Sequence, residues 1–235
     1  IADVSHELKT PIFSAQGFVH TLLDGAMDNE AVRENFLKKA AKSLDRLDIL
    51  VQDLMTITQI EKGEINMHFE SFDLVGLSAE VMDQLEKKAH QKQVKIQLFN
   101  SLDHPIYVSA DYRRIYQVIL NLLANAINYA GIGAEVIIKI TTSAKKIIFE
   151  LRDNGVGIPE KDLSRIFERF YRVDKSRSQE TGGSGLGLSI VKHIIESHQS
   201  KIYVESSSKK GTKFWFPLKA SGPPKSENKT AISTT

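Results

Sequence analysis

The chain has 235 residues, 41% of them hydrophobic, which is enough for two domains with real cores and too apolar for wholesale disorder. Its 31 basic and 29 acidic residues nearly balance, so charge gives no reason to expect a nucleic acid partner. Cysteine is absent, which excludes disulfides, and no apolar run approaches the ~18 residues that cross a bilayer. We therefore expect no nucleic acid and no membrane contact in this fragment, which begins at Ile1 without an initiator methionine.

Residues 1–63 predict two helices joined by a short turn. Apolar residues in the first helix recur at steps of three and four. The second helix has a heptad-like seam formed by Leu37, Ala40, Leu44, Leu47, Val51, Leu54 and Thr58. A hairpin cannot bury both of its faces, so we expect a homodimer in which residues 1–63 of two chains form a four-helix bundle. The alternative is a hairpin that packs on its own C-terminal domain.

A predicted linker at residues 64–72 separates the hairpin from a mixed α/β domain at residues 73–219. The predicted strands are Val94–Phe99, Ile106–Val108, Ala134–Thr141, Lys146–Arg152, Lys201–Glu205 and Lys213–Leu218, and the predicted helices are 74–91, 111–129 and 186–198. One mixed sheet with helices on one face fits this order. Residues 220–235 are rich in Ser, Lys and Pro and predict a disordered tail.

The segment Ser5–Pro11 contains a histidine that can react. Because the apolar stripe of the first helix faces inward, His6 faces solvent. A neutral imidazole is nucleophilic near neutral pH, and the adjacent Glu7 can orient the ring and accept a proton. Thr10 follows four residues after His6 and shares its face. A lone surface histidine is the alternative interpretation.

Three asparagines line one face of the helix predicted at 111–129. Asn121, Asn125 and Asn128 follow each other at steps of four and three. Buried amides are costly unless they meet a ligand. An amide oxygen suits Mg²⁺, which also keeps phosphate oxygens and waters as ligands. A capping or solvated polar face is the alternative.

Asp153 ends a predicted strand and precedes two glycines, Gly155 and Gly157. The glycines let the backbone approach a ligand closely, and the carboxylate can accept a hydrogen bond from an adenine amino group. A hairpin turn with the sequence Asp-Asn-Gly is the alternative.

A second glycine-rich segment, residues 182–188, runs into a helix. Its free N–H groups and the positive helix end suit a phosphate. Arg172, upstream of it, can reach a terminal phosphate, and residues 173–181 look like a mobile lid.

Together these motifs resemble those of the sensor histidine kinases of two-component systems. The segment Ser5–Pro11 resembles the phosphoacceptor H-box. The segments that begin at Asn121, Asp153, Phe167 and Gly182 resemble the N, G1, F and G2 boxes of the ATPase fold that these kinases share with DNA gyrase, the mismatch-repair protein MutL and the heat-shock chaperone ATPase. The resemblance implies a HisKA-type hairpin followed by an α/β sandwich of the GHKL type.

The resemblance also implies an activity: an ATP- and magnesium-dependent protein-histidine kinase that phosphorylates His6 and passes the phosphoryl group to a response regulator receiver domain. Glu7 is the implied base, Thr10 supports dephosphorylation of the regulator, Asn125 binds magnesium, and Asp153 reads adenine. The other implied nucleotide-site residues are Asn121, Asn128, Tyr129, Gly155, Gly157, Ile158, Phe170, Arg172, Lys175, Gly183, Ser184, Gly185, Leu186, Gly187, Leu188 and Thr212. The implied location is the cytoplasmic portion of a membrane-anchored sensor.

Two positions depart from the family pattern. The family often has a lysine where Asn128 stands, so that phosphate contact is either missing or supplied by Lys175 or Arg177. The family often has His-Gly-Gly where this chain has His198, Gln199 and Ser200, which suggests a different turn. Three other functions share some motifs: a phosphatase-dominant protein, a degenerate kinase that acts as a scaffold, and a gyrase- or chaperone-type ATPase.

Overall fold

The structure, a computed structural model, describes residues 2–62, 66–102, 104–173 and 184–224. These residues form two compact units. The first contains the N-terminal helices together with residues 165–173 and 184–190, and the second contains residues 66–102, 104–164 and 191–224. Within the described part of the chain, no helix combines the length and the apolar character needed to cross a membrane.

The N-terminal helices form the hairpin that the sequence predicts. Helix α1 spans Ala2–Leu23, a short 3₁₀ turn spans Ala26–Asp28, and α2 spans Glu30–Glu61. The Asn29 side chain accepts a hydrogen bond from the Val32 N–H at 3.2 Å, which caps the start of α2.

Within this chain, the seam predicted in α2 divides into two adjacent stripes, of which one packs inside the hairpin. Buried and half-buried side chains recur at alternating steps of four and three residues: Phe36, Ala40, Ser43, Leu47, Leu50, Leu54 and Ile57. Leu37, Leu44 and Val51, also part of the predicted seam, are 54%, 54% and 41% exposed. A helical repeat does not distinguish stripes that differ by one residue when both are apolar. The hairpin therefore has a second apolar stripe at seven-residue spacing that its own helices leave uncovered.

The second unit is built on a seven-stranded sheet, counted over the described residues. Its elements are β1 (Phe69–Asp73), α3 (Leu74–Gln91), β2 (Lys95–Asn100), β3 (Tyr107–Asp111), α4 (Tyr112–Tyr129), β4 (Glu135–Ser143), β5 (Lys146–Asp153), α5 (Glu160–Leu163), α6 (Gly187–Ser197), β6 (Tyr203–Ser206) and β7 (Thr212–Ala220). Helix α6 begins in the first unit and continues into the second. The strand order is β1-β3-β7-β5-β4-β2, and β6 pairs with β7. Only the β2–β4 pair is parallel among the described pairs.

One face of this sheet forms the core. In β5 and β7, buried residues alternate with more exposed ones, as expected for strands with one covered face. Phe149 and Phe216, in register on these neighbouring strands, stack with their ring centroids 5.0 Å apart and are fully buried. The core thus fixes β5, whose last residue is Asp153.

Two stretches differ from the predicted elements. The predicted linker, residues 64–72, overlaps β1, which pairs with β3 at the sheet edge and shows little burial along its length. An edge strand with so little buried surface gives no clear alternating pattern. At the other end, β7 continues to Ala220, and the Ser221 N–H donates to the Tyr107 carbonyl at 3.0 Å, so ordered pairing extends into the predicted tail.

The turn after α6 uses a glutamine where glycine is favoured. Gln199 has φ +55°, in the left-handed region. Its N–H donates to the Glu196 carbonyl at 2.9 Å, and the Ser200 N–H donates to the Ile195 carbonyl at 3.1 Å. This is the hydrogen-bond pattern of a Schellman C-cap, so the helix still ends in a tight left-handed turn.

His198 joins this helix end to the start of α4. Its Nδ1 lies 2.7 Å from the Ile194 carbonyl, and its Nε2 accepts a hydrogen bond from the Asp111 N–H at 3.0 Å. The ring is therefore neutral, with the proton on Nδ1. Burial lowers the pKa of His198, whereas the Ile194 hydrogen bond and the Asp111 charge partly offset that effect.

The lowered pKa of His198 predicts that the second unit loses stability in acid. Because the folded-state pKa of His198 is lowered, the unfolded chain binds the proton more readily. Stability is thus complete above the ordinary pKa of about 6.5 and falls below it, by at most about 1.4 kcal/mol per pH unit, with solvent screening reducing the slope. Urea unfolding followed by the single tryptophan, Trp215 on β7, should show this loss from pH 6.5 downward. His198→Asn should flatten the slope, and the exposed His90→Asn should leave it as in the wild type; equal slopes in all three proteins would contradict the assignment.

Candidate nucleotide-binding and phosphoacceptor sites

The polar face of α4 lies at the surface of the second unit. Asn121, Asn125 and Asn128 are half-buried, whereas Leu123 and Ile127 are fully buried. The Asn125 amide has no hydrogen-bond partner among the described residues. A half-buried amide oxygen without a protein donor fits a role as ligand of a hard cation such as magnesium.

Asp153 is held so that one carboxylate oxygen stays available. Its Oδ1 accepts hydrogen bonds from the Gly155 N–H at 2.8 Å and the Thr212 N–H at 3.3 Å. Its Oδ2 has no hydrogen-bond donor among the described residues. Burial raises the pKa of Asp153, and the two backbone hydrogen bonds oppose that rise. The result is a desolvated acceptor, 7% exposed, in a fixed orientation.

The backbone after Asp153 passes too close to its neighbours for side chains. A Cβ on Gly155 would lie 2.6 Å from the Ala130 Cα, at the end of α4. A Cβ on Gly157, which has φ +69°, would lie 2.0 Å from the Ser207 carbonyl oxygen. Glycine at these positions therefore lets the loop pack against both α4 and the turn before β7.

Ser206, which was not among the predicted site residues, links the loop after Asp153 to the turn before β7. Its hydroxyl accepts from the Ile158 N–H at 2.8 Å and lies 2.8 Å from the Gly211 carbonyl and 2.9 Å from the Thr212 hydroxyl. Ser206 follows Tyr203 in a short strand without any motif, so only the three-dimensional pairing of β6 with β7 reveals its role.

In the first unit, His6 is exposed on α1, in agreement with the predicted stripe. The Thr10 hydroxyl donates to the His6 carbonyl at 3.1 Å, an ordinary bond for a threonine inside a helix. Glu7 accepts a hydrogen bond at 2.9 Å from Nη2 of Arg172, and the two side chains are 22% and 10% exposed. The carboxylate of the residue that follows His6 is therefore engaged in a largely buried ion pair.

Arg46 of α2 contributes a further charge to this region. Its Nε is buried and has no hydrogen-bond partner within the described part of the chain. Burial and then the charge of Arg172 lower the pKa of Arg46, whereas the charge of Glu7 raises it. The sequence carries no signal that singles out Arg46, because an arginine on an amphipathic helix is usually solvated.

The segment before α6 also belongs to the first unit. The Ser184 hydroxyl donates to Oδ2 of Asp53 on α2 at 2.9 Å and accepts from the Leu186 N–H at 3.2 Å. Burial raises the pKa of Asp53, and the Ser184 hydrogen bond lowers it. Asp53 was not among the predicted site residues.

A backbone contact orders the same segment. Gly185 has φ +74°, and a Cβ there would lie 2.9 Å from the Phe170 Cα. The Phe170 N–H donates to the Gly185 carbonyl at 2.9 Å. Phe170 is itself left-handed, with φ +60°. The close approach of Phe170 and the positive φ therefore explain why a glycine occupies position 185.

The remaining predicted site residues divide between the two units. Leu186 is buried, and Gly187 and Leu188 open α6 with half-buried positions. Tyr129 is half-buried at the end of α4. Lys175 and Gly183, together with Arg177 and residues 174–181 of the predicted lid, lie outside the described residues.

Two family models match this chain. Residues 1–63 match the His Kinase A (phospho-acceptor) domain, and residues 110–222 match the Histidine kinase-, DNA gyrase B-, and HSP90-like ATPase. The sensor histidine kinase WalK of Bacillus subtilis is 33% identical over 222 residues, which cover 93% of this chain and 36% of WalK. This chain therefore spans about a third of the length of that relative.

Solved histidine kinases have the same fold. AdeS of Acinetobacter baumannii is 27% identical with a TM-score of 0.75, and the match covers 92% of this chain and 98% of AdeS. ThkA in complex with the response regulator protein TrrA is 26% identical with a TM-score of 0.67, covering 94% of this chain and 60% of ThkA. The ThkA catalytic domain alone is 31% identical with a TM-score of 0.58, covering 65% of this chain and 96% of that domain.

The chain belongs to the sensor histidine kinase family of two-component systems. The predicted family is confirmed, and so is the predicted order of a helical hairpin followed by an α/β domain of the ATPase fold.

Proposed function

We propose that this chain is an ATP-dependent protein-histidine kinase that phosphorylates His6 and transfers the phosphoryl group to an aspartate of a response regulator. The observation that carries the proposal is the exposed side chain of His6 on α1, followed directly in sequence by the acidic residue Glu7. In the second unit of the same chain, the buried carboxylate of Asp153 is a hydrogen-bond acceptor suited to the amino group of adenine. ThkA, a relative of similar fold, is known in complex with a response regulator protein, which supports the proposed partner.

For the nucleotide, each group has a proposed task. Asp153 accepts a hydrogen bond from the adenine amino group through Oδ2. Tyr129 packs near the base. Asn125, with Asn121 in support, would hold magnesium, which neutralises phosphate charge when bound. The glycine-containing segments and Thr212 shape the pocket.

In the proposed transfer, the unprotonated ring nitrogen of His6 attacks the γ-phosphorus. A nitrogen–phosphorus bond forms, the bond from the γ-phosphorus to the bridging oxygen breaks, and ADP leaves. Glu7 takes the proton from the other ring nitrogen, which keeps the phosphorylated ring uncharged. Positioning of the γ-phosphate next to His6 supplies most of the acceleration.

The ion pair of Glu7 and Arg172 bears on this reaction. In this ion pair a carboxylate oxygen of Glu7 is already bound to Arg172, and the Arg172 guanidinium is already engaged by Glu7 rather than by a γ-phosphate. We propose that the two side chains exchange partners before transfer, Arg172 moving to phosphate oxygens and Glu7 to the imidazole.

A homodimer through residues 1–63 is part of the proposal. Leu37, Leu44 and Val51 form an exposed apolar stripe at seven-residue spacing. On α1, Phe13 and Val19 are also exposed, at 64% and 44%. A second hairpin packed against these side chains would remove them from water and complete a four-helix bundle.

Phosphatase activity toward the regulator is a second proposed function of the same site. Thr10 is half-buried on the helix turn after His6, and among the described residues its hydroxyl bonds only to the His6 backbone carbonyl. Rotation of this hydroxyl would let it hold a water molecule for attack on an aspartyl phosphate.

The direct test is incorporation of label from ATP carrying radioactive γ-phosphate. We expect label that is lost in acid and kept in alkali, because a nitrogen–phosphorus bond is hydrolysed in acid whereas phosphoserine is not. Label that survives acid, or none with magnesium present, would contradict the proposal.

A further inference from the structure

A lysine from another helix lies against the asparagine face of α4. Nζ of Lys92 donates to the Asn128 side-chain oxygen at 3.3 Å and to the Asn128 carbonyl at 3.4 Å. Lys92 is the C-cap residue of α3, and 36 residues separate it from Asn128 in sequence. The fold therefore brings a cation to a face whose asparagines are neutral.

The position of this ammonium group is suited to an anion on the same face. Asn128 follows Asn125 by three residues, so the two side chains are neighbours, about 5–6 Å apart at Cβ. The amide of Asn125 has no protein partner among the described residues and faces the same side of α4. A lysine has a flexible four-carbon stem, so its ammonium can move by several ångströms from Asn128 toward a ligand beside Asn125.

A structural role is the competing explanation. The backbone carbonyl of Asn128 lies in the last turn of α4, where helix carbonyls lack partners and a cation is favourable. Lys88, one turn earlier in α3, has its pKa lowered by burial and then by the charge of Lys92, so the region already carries concentrated positive charge. If Lys92 only capped the end of α4, its contact with the Asn128 carbonyl would be enough. The additional contact with the Asn128 side chain would then have no role.

We propose that Lys92, at the end of α3, is a phosphate-binding residue of the nucleotide site and that its hydrogen bond with Asn128 positions it there. This inference rests on the proposed nucleotide binding. Asn128 holds the ammonium beside Asn125 in the absence of nucleotide, and phosphate oxygens replace the Asn128 oxygen as its acceptor when ATP binds. The neutral Asn128 thereby acts as a positioning residue, and the charge comes from Lys92.

The test compares ligands that share adenine and differ in phosphate number. Lys92→Met in the full chain should weaken ATP about tenfold and ADP less, and should leave adenosine within twofold, when each displaces a fluorescent ATP analogue. Lys88→Met removes the same charge one turn away and should change ATP affinity less than twofold. Equal weakening of ATP and adenosine, or an unchanged ATP affinity, would overturn the inference.

A second variant separates charge from folding. Asn128→Lys in the Lys92→Met background returns a cation to the face and should restore ATP affinity to within threefold of wild type. Failure to recover, with an unchanged urea midpoint by Trp215 fluorescence, would overturn a role in phosphate binding. If the wild type itself does not bind ATP, the proposed function fails instead, and the two failures are thus distinguishable.

Discussion

Asp153→Asn is expected to weaken ATP binding about 100-fold. The variant keeps Oδ1, which still accepts from the Gly155 and Thr212 N–H groups. In place of Oδ2 it has an amide nitrogen. This nitrogen and the adenine amino group are both donors, so no hydrogen bond forms between them. Loss of a charge-assisted hydrogen bond together with the unpaired donors corresponds to roughly 3 kcal/mol, or about two powers of ten in affinity.

The same variant should invert the preference between bases. Inosine triphosphate has a carbonyl where ATP has the amino group, so it is repelled by the wild-type carboxylate and can accept a hydrogen bond from the new amide. We expect Asp153→Asn to bind inosine triphosphate at least as tightly as ATP, as measured by calorimetry. Asp73→Asn, the same chemical change at the N-cap of α3, should leave both affinities unchanged.

Stability distinguishes this outcome from misfolding. Because burial raises the pKa of Asp153, its charge disfavours the folded state near neutral pH, and its removal should leave the urea midpoint equal or higher. An ATP affinity within threefold of wild type in a folded variant would show that Asp153 does not read adenine.

Much of the fold follows from local sequence pattern. The apolar repeats of α1 and α2, the N-cap at Asp73 and the alternation in β5 and β7 each report burial along one element. Strand β1 and the stripe of α2 that packs within its own hairpin did not follow, because an edge strand buries little and two apolar stripes one residue apart have the same period. Pairing partners, rather than local pattern, decide such cases.

The residues of the candidate site also fall into those that the sequence predicts and those that only the structure reveals. Asp153 and the asparagines of α4 could be predicted, since they stand in motifs whose residue types match a chemical task. Lys92 could not, because it reaches the α4 face from a helix end 36 residues away. The bond from Ser184 to Asp53 joins positions 131 residues apart, so sequence spacing carries no signal for it. What sequence misses is the set of groups that converge from different elements.

His6→Gln is expected to abolish incorporation of label from ATP while leaving ATP affinity unchanged. His6 is exposed, so its replacement removes no packing, and glutamine has no nitrogen lone pair that can attack phosphorus at neutral pH. Loss of label to background, with wild-type ATP affinity and wild-type unfolding, would therefore locate the acceptor rather than a folding defect.

The matched control for this variant is His20→Gln. His20 is also exposed on α1 and lies in its last turn, so it presents an equally accessible imidazole. It has no carboxylate directly after it in sequence, whereas His6 is followed by Glu7. We expect His20→Gln to keep full label, because accessibility alone does not make a histidine an acceptor; the adjacent base does. Acid-labile label that persists in His6→Gln and disappears in His20→Gln would move the acceptor to the far end of the helix.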